Sequence, residues 1–280
     1  MRRSFLEPGK PVVVAGKDFF HRKAEVRLEN SGLPGWFVRL QGTDVPINPK
    51  TMKYELRRVS LVDGKRSIQV IEHLLALRLL LGLDQVRIVP SSRWVPYGDS
   101  SARIFFDPCK SGMRTVGGLR HYSVAGAVTV VGDAEKSWIT YAPHKADKLV
   151  VRVHIDYPSL GICDRTFEFP GTKLEDIAYA RTQGWPRHLW YATWLWPGFW
   201  DHRRNAVWPH QGTSDEILDS YARHRALDIL GALGGLCPPQ GTLVGKVESY
   251  CAGHALDMKL IQLAYPLLAE VKEGKKLATK

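Results

Sequence analysis

Hydrophobic and polar positions along the chain fall into two blocks of the same kind, each a set of short strands followed by helix. From Pro11 to Leu61 the apolar residues alternate or cluster in β-branched runs, Val12–Val14, Ala24–Leu28, Trp36–Leu40 and Arg58–Leu61. That period and composition predict strands. The pattern changes over Ile68–Leu81, an apolar run closed by Gly82, and predicts a helix. A strand at Gln85–Val89 and a loop over Pro90–Gly98 end the block. Past Ser123 the order recurs with Ala127–Val131, Trp138–Tyr141, the alternating Leu149–Tyr157, and Arg165–Glu168. Helices are then predicted at Leu174–Arg181, Asp215–Leu233 and Ala255–Val271, the last kinked or broken at Pro266. The break between blocks falls near Pro108–Leu119, which carries Gly112, Gly117 and Gly118. No residue-level repeat joins the blocks.

Three segments carry candidate chemistry. In His224-Arg225-Ala226-Leu227-Asp228 an imidazole and a carboxylate stand four apart, one above the other on a helix, so both reach one ion. The plain alternative is a surface i,i+4 pair. In Ile71-Glu72-His73 a carboxylate and an imidazole are adjacent near a helix start, about 100° apart around the axis. If His73 binds a metal, Glu72 stands beside it as a base rather than a ligand; the alternative is a polar pair on a buried helix. In Gly253-His254 the glycine suits close backbone approach, or simply caps a helix. His121, His144, His154, His188, His202 and His210 have no partner at metal spacing and read as structural or exposed.

Taken in order, these segments resemble the zinc-dependent UDP-3-O-acyl-N-acetylglucosamine deacetylase family of lipid A synthesis. Val95-Pro96-Tyr97-Gly98-Asp99-Ser100-Ser101-Ala102 is similar to the family's I-P-x-x-D-G-S-A segment, and Ala180-Arg181-Thr182 to its A-R-T motif. Arg223-His224 opens a match to R-H-K-x-x-D, and Tyr250 to Leu260 follows Y-K-S-G-H-A-L-N-x-K-L. The similarity runs from about Val13 to about Leu268. It implies two related α+β domains, each a sheet packed on helices, with the site between them. The expected division is 1–110 and 118–275, the second holding a Trp-rich insert near 185–208.

The resemblance also implies roles. His73, His224 and Asp228 would hold one zinc ion, Glu72 would be the general base, and His254 the general acid or a stabilising cation. Thr182 would hold the developing oxyanion. Arg225, His21, Gln183, Trp185 and Trp194 would face the substrate, an anionic nucleotide-sugar lipid. Ferrous iron accepts the same donors as zinc. The departures are specific. Arg225 replaces a lysine, a planar fork for a point charge. Cys251 replaces another lysine, and Gln183 an aromatic, both on the nucleotide–sugar side. A family aspartate that orients the catalytic histidine falls at Ala232, and Asp257, one turn after His254, is the candidate substitute. These losses keep open a deacetylase acting on a sugar without UDP, and a non-catalytic protein that retains the metal.

Composition sets the outer bounds. With 39 Lys and Arg against 28 Asp and Glu, the formal net charge of +11 favours acidic partners such as phosphorylated substrates or anionic lipid surfaces. No nucleic-acid motif accompanies it, and a monomer is expected. The four cysteines form no C-x-x-C pair, which argues against a thiolate metal site and fits a reducing compartment. The first residues lack the apolar core of a signal peptide, so a cytoplasmic location is expected, with transient membrane contact as a further reading. Six of the nine tryptophans lie between Trp185 and Trp208, interrupted by Pro186, Pro197 and Gly198. Indoles there suit core packing, an acyl channel or a membrane interface.

Overall fold

Two five-stranded sheets with one topology organise the chain. A computed structural model describes residues 2–55, 58–133, 136–157, 159–183, 205–209 and 211–271. In the first sheet the order across is Val12–Lys17, Lys23–Asn30, Val86–Pro90, Trp36–Leu40, Thr43–Pro46. In the second it is Val128–Val131, Trp138–Ala142, Gly245–Tyr250, Leu149–Tyr157, Gly161–Phe169. Numbered by position within its own sheet, each reads first, second, fifth, third, fourth. In both, only the pair between the fifth and third strands is parallel. The blocks seen in the hydrophobic pattern are thus related units of an α+β fold, although no residue repeat marks them.

Helices follow the same plan. In each half one helix precedes the fifth strand and another follows it. These are α1 (Glu72–Leu80) and α2 (Arg103–Gly112) in the first half. The short α3 (Leu174–Ala178) leads to their counterparts, α4 (Ser214–Leu236) and α5 (His254–Ala264), in the second. α4 is buried almost all round from Tyr221 onward, as expected of a helix clad by sheets and other helices. Its start is set by a capping box, in which the Thr213 hydroxyl accepts from Glu216 N–H and Glu216 Oε2 accepts from Thr213 N–H at 3.0 Å. Such a cap contributes about 1 kcal/mol.

α1 and α4 cross in direct backbone contact. A Cβ added at Gly231 would stand 2.3 Å from the Glu72 carbonyl oxygen, and one at Gly234 2.3 Å from that of Leu75. Only glycine permits this approach, and it sets the first turn of α1 against the C-terminal part of α4. Arg78, buried at the end of α1, donates to the carbonyls of Gly234 (3.1 Å) and Pro238 (2.8 Å), satisfying acceptors that α4 leaves open at its C-terminus. One apolar core runs through both halves.

The structure departs from the hydrophobic pattern at several ends. The first helix starts at Glu72, not Ile68, because Arg66–Gln69 is drawn into a three-stranded sheet beside Arg58–Asp63, and Val70 turns the chain at φ +64. Pro108–Leu119 carries regular structure. Pro108 lies within α2, and Met113–Gly118 pairs with Arg2–Leu6. The second predicted helix stops at Ala178, not Arg181. The last stops at Ala264; Tyr265–Leu267 is a single 3-10 turn around Pro266, and Leu268–Glu270 pairs with Arg120–Val124. Trp185 and Trp194, with most of the Trp-rich segment, lie outside the described residues.

Candidate metal centre

The α1–α4 crossing brings His73, His224 and Asp228 together. Their ligand atoms all lie within 4.8 Å of one another, and all three residues are buried. Nε2 of His73 and Nε2 of His224 each stand 3.6 Å from the same carboxylate oxygen, Asp228 Oδ1. The two rings are nearly perpendicular, at 86°, with centroids 5.0 Å apart. The helical spacing of His224 and Asp228 supplies half of this arrangement, and the close approach of α1 supplies the rest.

The chemistry of the donors fits a divalent cation. Asp228 Oδ1 is buried and makes no hydrogen bond among the described residues, and such orphaned acceptors are rare. His224 Nδ1 donates to the Ala180 carbonyl at 2.9 Å, which fixes the tautomer and leaves the Nε2 lone pair facing Asp228. Burial pushes the His224 imidazole down to about 4, so at neutral pH it is uncharged. Burial also pulls on His73, but its contact with Asp228 and the charges of Glu72 and Asp228 raise it above its ordinary value. Asp228 is held well below the usual carboxylate range, because the imidazoles of His224, His254 and His73 outweigh the cost of its burial. Two imidazoles and an ionised carboxylate suit zinc or ferrous iron.

The remaining site residues surround this group. Glu72 is 4% exposed, and one of its oxygens, Oε2, accepts from Val59 N–H at 3.2 Å. His254 begins α5 and turns Nε2 toward the other oxygen of Asp228, at 3.9 Å. Gly253 is the N-cap of that helix in an extended conformation, and a Cβ there would meet nothing within 4 Å. Of its two readings, the cap holds and the crowded approach does not. Thr182 N–H points to Ser100, 3.3 Å from both its hydroxyl and its carbonyl oxygen, two residues beyond the carbonyl that orients His224.

A cavity of about 200 Å³ opens onto Asp228 and His224. Its wall includes Gln183, Arg225, Tyr157, Tyr221, Cys251 and His154. Tyr157 and Tyr221 meet at 5.7 Å between centroids. His154 stacks on Tyr250 at 4.4 Å and 13°, and Tyr250 on Trp138 at 6.1 Å and 6°, three residues aligned by strand register. His154 therefore belongs to the cavity and not to the bystander histidines. The alternation of Leu149–Tyr157 holds part of that signal, but nothing marked the face as functional. Ala180, Gly231 and Gly234 were likewise missed; only the glycine spacing within a helical run hinted at a close approach. His21 sits instead in the turn of the first hairpin at φ +66, beside Lys17, and is not among the described residues that bound the cavity.

Arg225, in the cavity wall, is also paired with Asp257. Nη1 donates to Asp257 Oδ2 at 2.6 Å and Nη2 to Oδ1, a two-pronged pair in which Arg225 is 9% and Asp257 1% exposed.

The family profile for UDP-3-O-acyl N-acetylglycosamine deacetylase matches residues 21–265. The chain belongs to this family. Among curated relatives, a UDP-3-O-acyl-N-acetylglucosamine deacetylase of Nautilia profundicola is 25% identical over 272 residues, 92% of this chain and 90% of the relative. The enzyme of the same name from Geotalea uraniireducens is 27% identical over 241 residues, 80% of this chain and 75% of the relative. That of Oleidesulfovibrio alaskensis is 28% identical over 199 residues, 68% and 64% respectively. Family membership makes the chain an N-deacetylase. At this level of identity the deacetylase core and the cavity wall can diverge separately. Among the described residues no helix is long and apolar enough to cross a membrane.

Proposed function

We propose that this chain hydrolyses the acetamide of UDP-3-O-acyl-N-acetylglucosamine or a close relative, releasing acetate and a free amine, in the cytoplasm and as a monomer. The observation that carries this is the convergence of His73, His224 and Asp228 within 4.8 Å, with Glu72 beside one ligand and His254 opposite another. The three residues would hold one zinc ion. Bound there, zinc supplies a Lewis acid that polarises the acetamide carbonyl and lowers the pKa of water toward about 7.

The protein's own groups do the rest. Glu72 removes a proton as water oxygen bonds to the acetyl carbon. Its anchored Oε2 fixes the carboxylate while the second oxygen is directed to the water. Thr182 donates to the oxyanion that develops on the carbonyl oxygen. His254 delivers a proton to the sugar nitrogen as the C–N bond breaks, because an amide anion is a very poor leaving group. Gln183 and the tyrosines of the cavity wall face the sugar and what it carries. The Trp-rich segment, Trp185 and Trp194 included, would line the path of the acyl chain, and contact with a membrane surface would accompany delivery of that lipid. The division into 1–110 and 118–275 is part of the same proposal.

A second reading keeps the chemistry and drops the nucleotide. It is favoured by Cys251 and Gln183 in the wall. Acetate release from the UDP-linked and the free N-acetylated sugar, each with Glu72→Gln as control, tests both. Turnover that falls about 10²–10⁴-fold in Glu72→Gln is expected. Equal turnover on both sugars selects the second reading. No Glu72-dependent release from either leaves a metal-retaining binding protein.

A further inference from the structure

We infer that Arg225 and Asp257 form a buried positioning pair for His254. This rests on the deacetylase reading above. Asp257 lies one turn after His254 on α5, and its Oδ2 faces His254 Nδ1 at 3.8 Å. That nitrogen is shielded from solvent and has no hydrogen-bond partner among the described residues. On the far side of the ring, Nε2 faces Asp228 Oδ2 at 3.9 Å. The imidazole therefore stands between two carboxylates, one belonging to the metal group and one outside it. With Nδ1–H directed to Asp257, Nε2 is the nitrogen turned to the reacting atoms.

Arg225 makes this orientation rigid. Its fork engages both oxygens of Asp257 and so fixes the plane of the carboxylate, which a single ammonium charge would not do. Oδ2 accepts from Nη1 and keeps a second lone pair for the imidazole. The fork leaves Arg225 only Nε without a partner among the described residues, and that atom is buried. A side chain held this way positions its neighbour. The pair reaches from α4 to α5, so it also ties the helix bearing two metal ligands to the one bearing His254.

Two measurements on the full chain test the pair. The first is the nitrogen NMR spectrum of histidine-labelled wild type, with and without zinc and without substrate. His254 is expected in the Nδ1–H tautomer, with its resonances moved in Asp257→Asn. The second is the double variant Arg225→Met/Asp257→Leu, which replaces a buried ion pair with apolar side chains, a change folds often tolerate. It is expected to melt at or above the wild-type temperature, while kcat falls roughly 10–100-fold and KM stays within about threefold. A folded double variant with wild-type kcat would overturn the pair, as would a raised KM at unchanged kcat or an Nε2–H tautomer in the wild type. The tautomer is read without turnover and decides the matter if the double variant fails to fold. Absence of acetate release from both the UDP-linked and the free sugar would sink the deacetylase reading and leave the tautomer measurement standing.

Discussion

The α1–α4 crossing and the cavity wall of the second sheet are adjacent but built differently. The crossing is made of backbone: Gly231 against the Glu72 carbonyl, Gly234 against that of Leu75, and Arg78 closing the end of α4. The metal group sits there, buried and with its tautomer fixed. The wall is made of side chains on strand ends and loops, His154, Gln183 and Cys251, at a partly open cavity. The departures from the family's motifs are divided between the wall (Cys251, Gln183) and the Arg225, Ala232 and Asp257 positions around His254. None replaces a candidate ligand or Glu72. Geometry fixed by backbone contact tolerates little change, since one methyl group disrupts it. A wall of side chains can be rewritten to accept another substrate with the chemistry left in place.

Breaking the crossing gives the largest effect. Gly231→Ala drives a Cβ into the Glu72 carbonyl, and neither helix can yield without moving His73 away from Asp228. A stability loss of about 1–3 kcal/mol is expected from overpacking, together with weaker metal binding. Chemical denaturation and equilibrium dialysis against zinc check both parts. Wild-type affinity in Gly231→Ala would mean the contact does not position the ligands.

Rewriting the wall gives a smaller effect, on selectivity alone. Cys251→Lys places a cation at the cavity rim, at a residue that already adopts φ +46. KM for a UDP-linked substrate should fall about tenfold relative to the free sugar, equivalent to about 1.4 kcal/mol, with kcat unchanged. A change in kcat of the same size would show that wall and metal group are not separable.

The smallest signature is protonic and belongs to the crossing. His224 is neutral at pH 7 with its pKa near 4, and Asp228 is ionised, so neither releases a proton when a cation binds at that pH. His73 is raised above its ordinary value, so in the metal-free protein it carries a proton at and below that value, and a cation must displace it. Affinity should therefore weaken as pH falls through the raised pKa of His73, the protons released per ion rising toward one as pH falls below it. Calorimetry in buffers of different ionisation enthalpy measures that number. Release of two protons would place His224 among the protonated groups.

How much of this was readable in the sequence follows the same division. Helical spacing put His224 and Asp228 on one face, and an ordered set of short motifs supplied His73, Glu72, Thr182 and His254. Strand alternation was legible wherever one face is buried, as in Leu149–Tyr157. Helix ends were not, because they were decided by pairing between distant segments: Ile68 and Gln69 went to the strand Arg58–Asp63, and Leu268 to Arg120–Val124. The role of Gly231 depends on a segment about 160 residues away, and that of Arg225 on one helix lying beside another. Local spacing carries neither. Asp257 was legible as a neighbour of His254 but not as the partner of Arg225.

The account stands most directly on one titration. Zinc added to metal-free protein should bind at one ion per chain, and Asp228→Ala should abolish that binding while the fold persists. Binding that survives in Asp228→Ala, or no stoichiometric binding in the wild type, would contradict convergence of His73, His224 and Asp228 on a common cation.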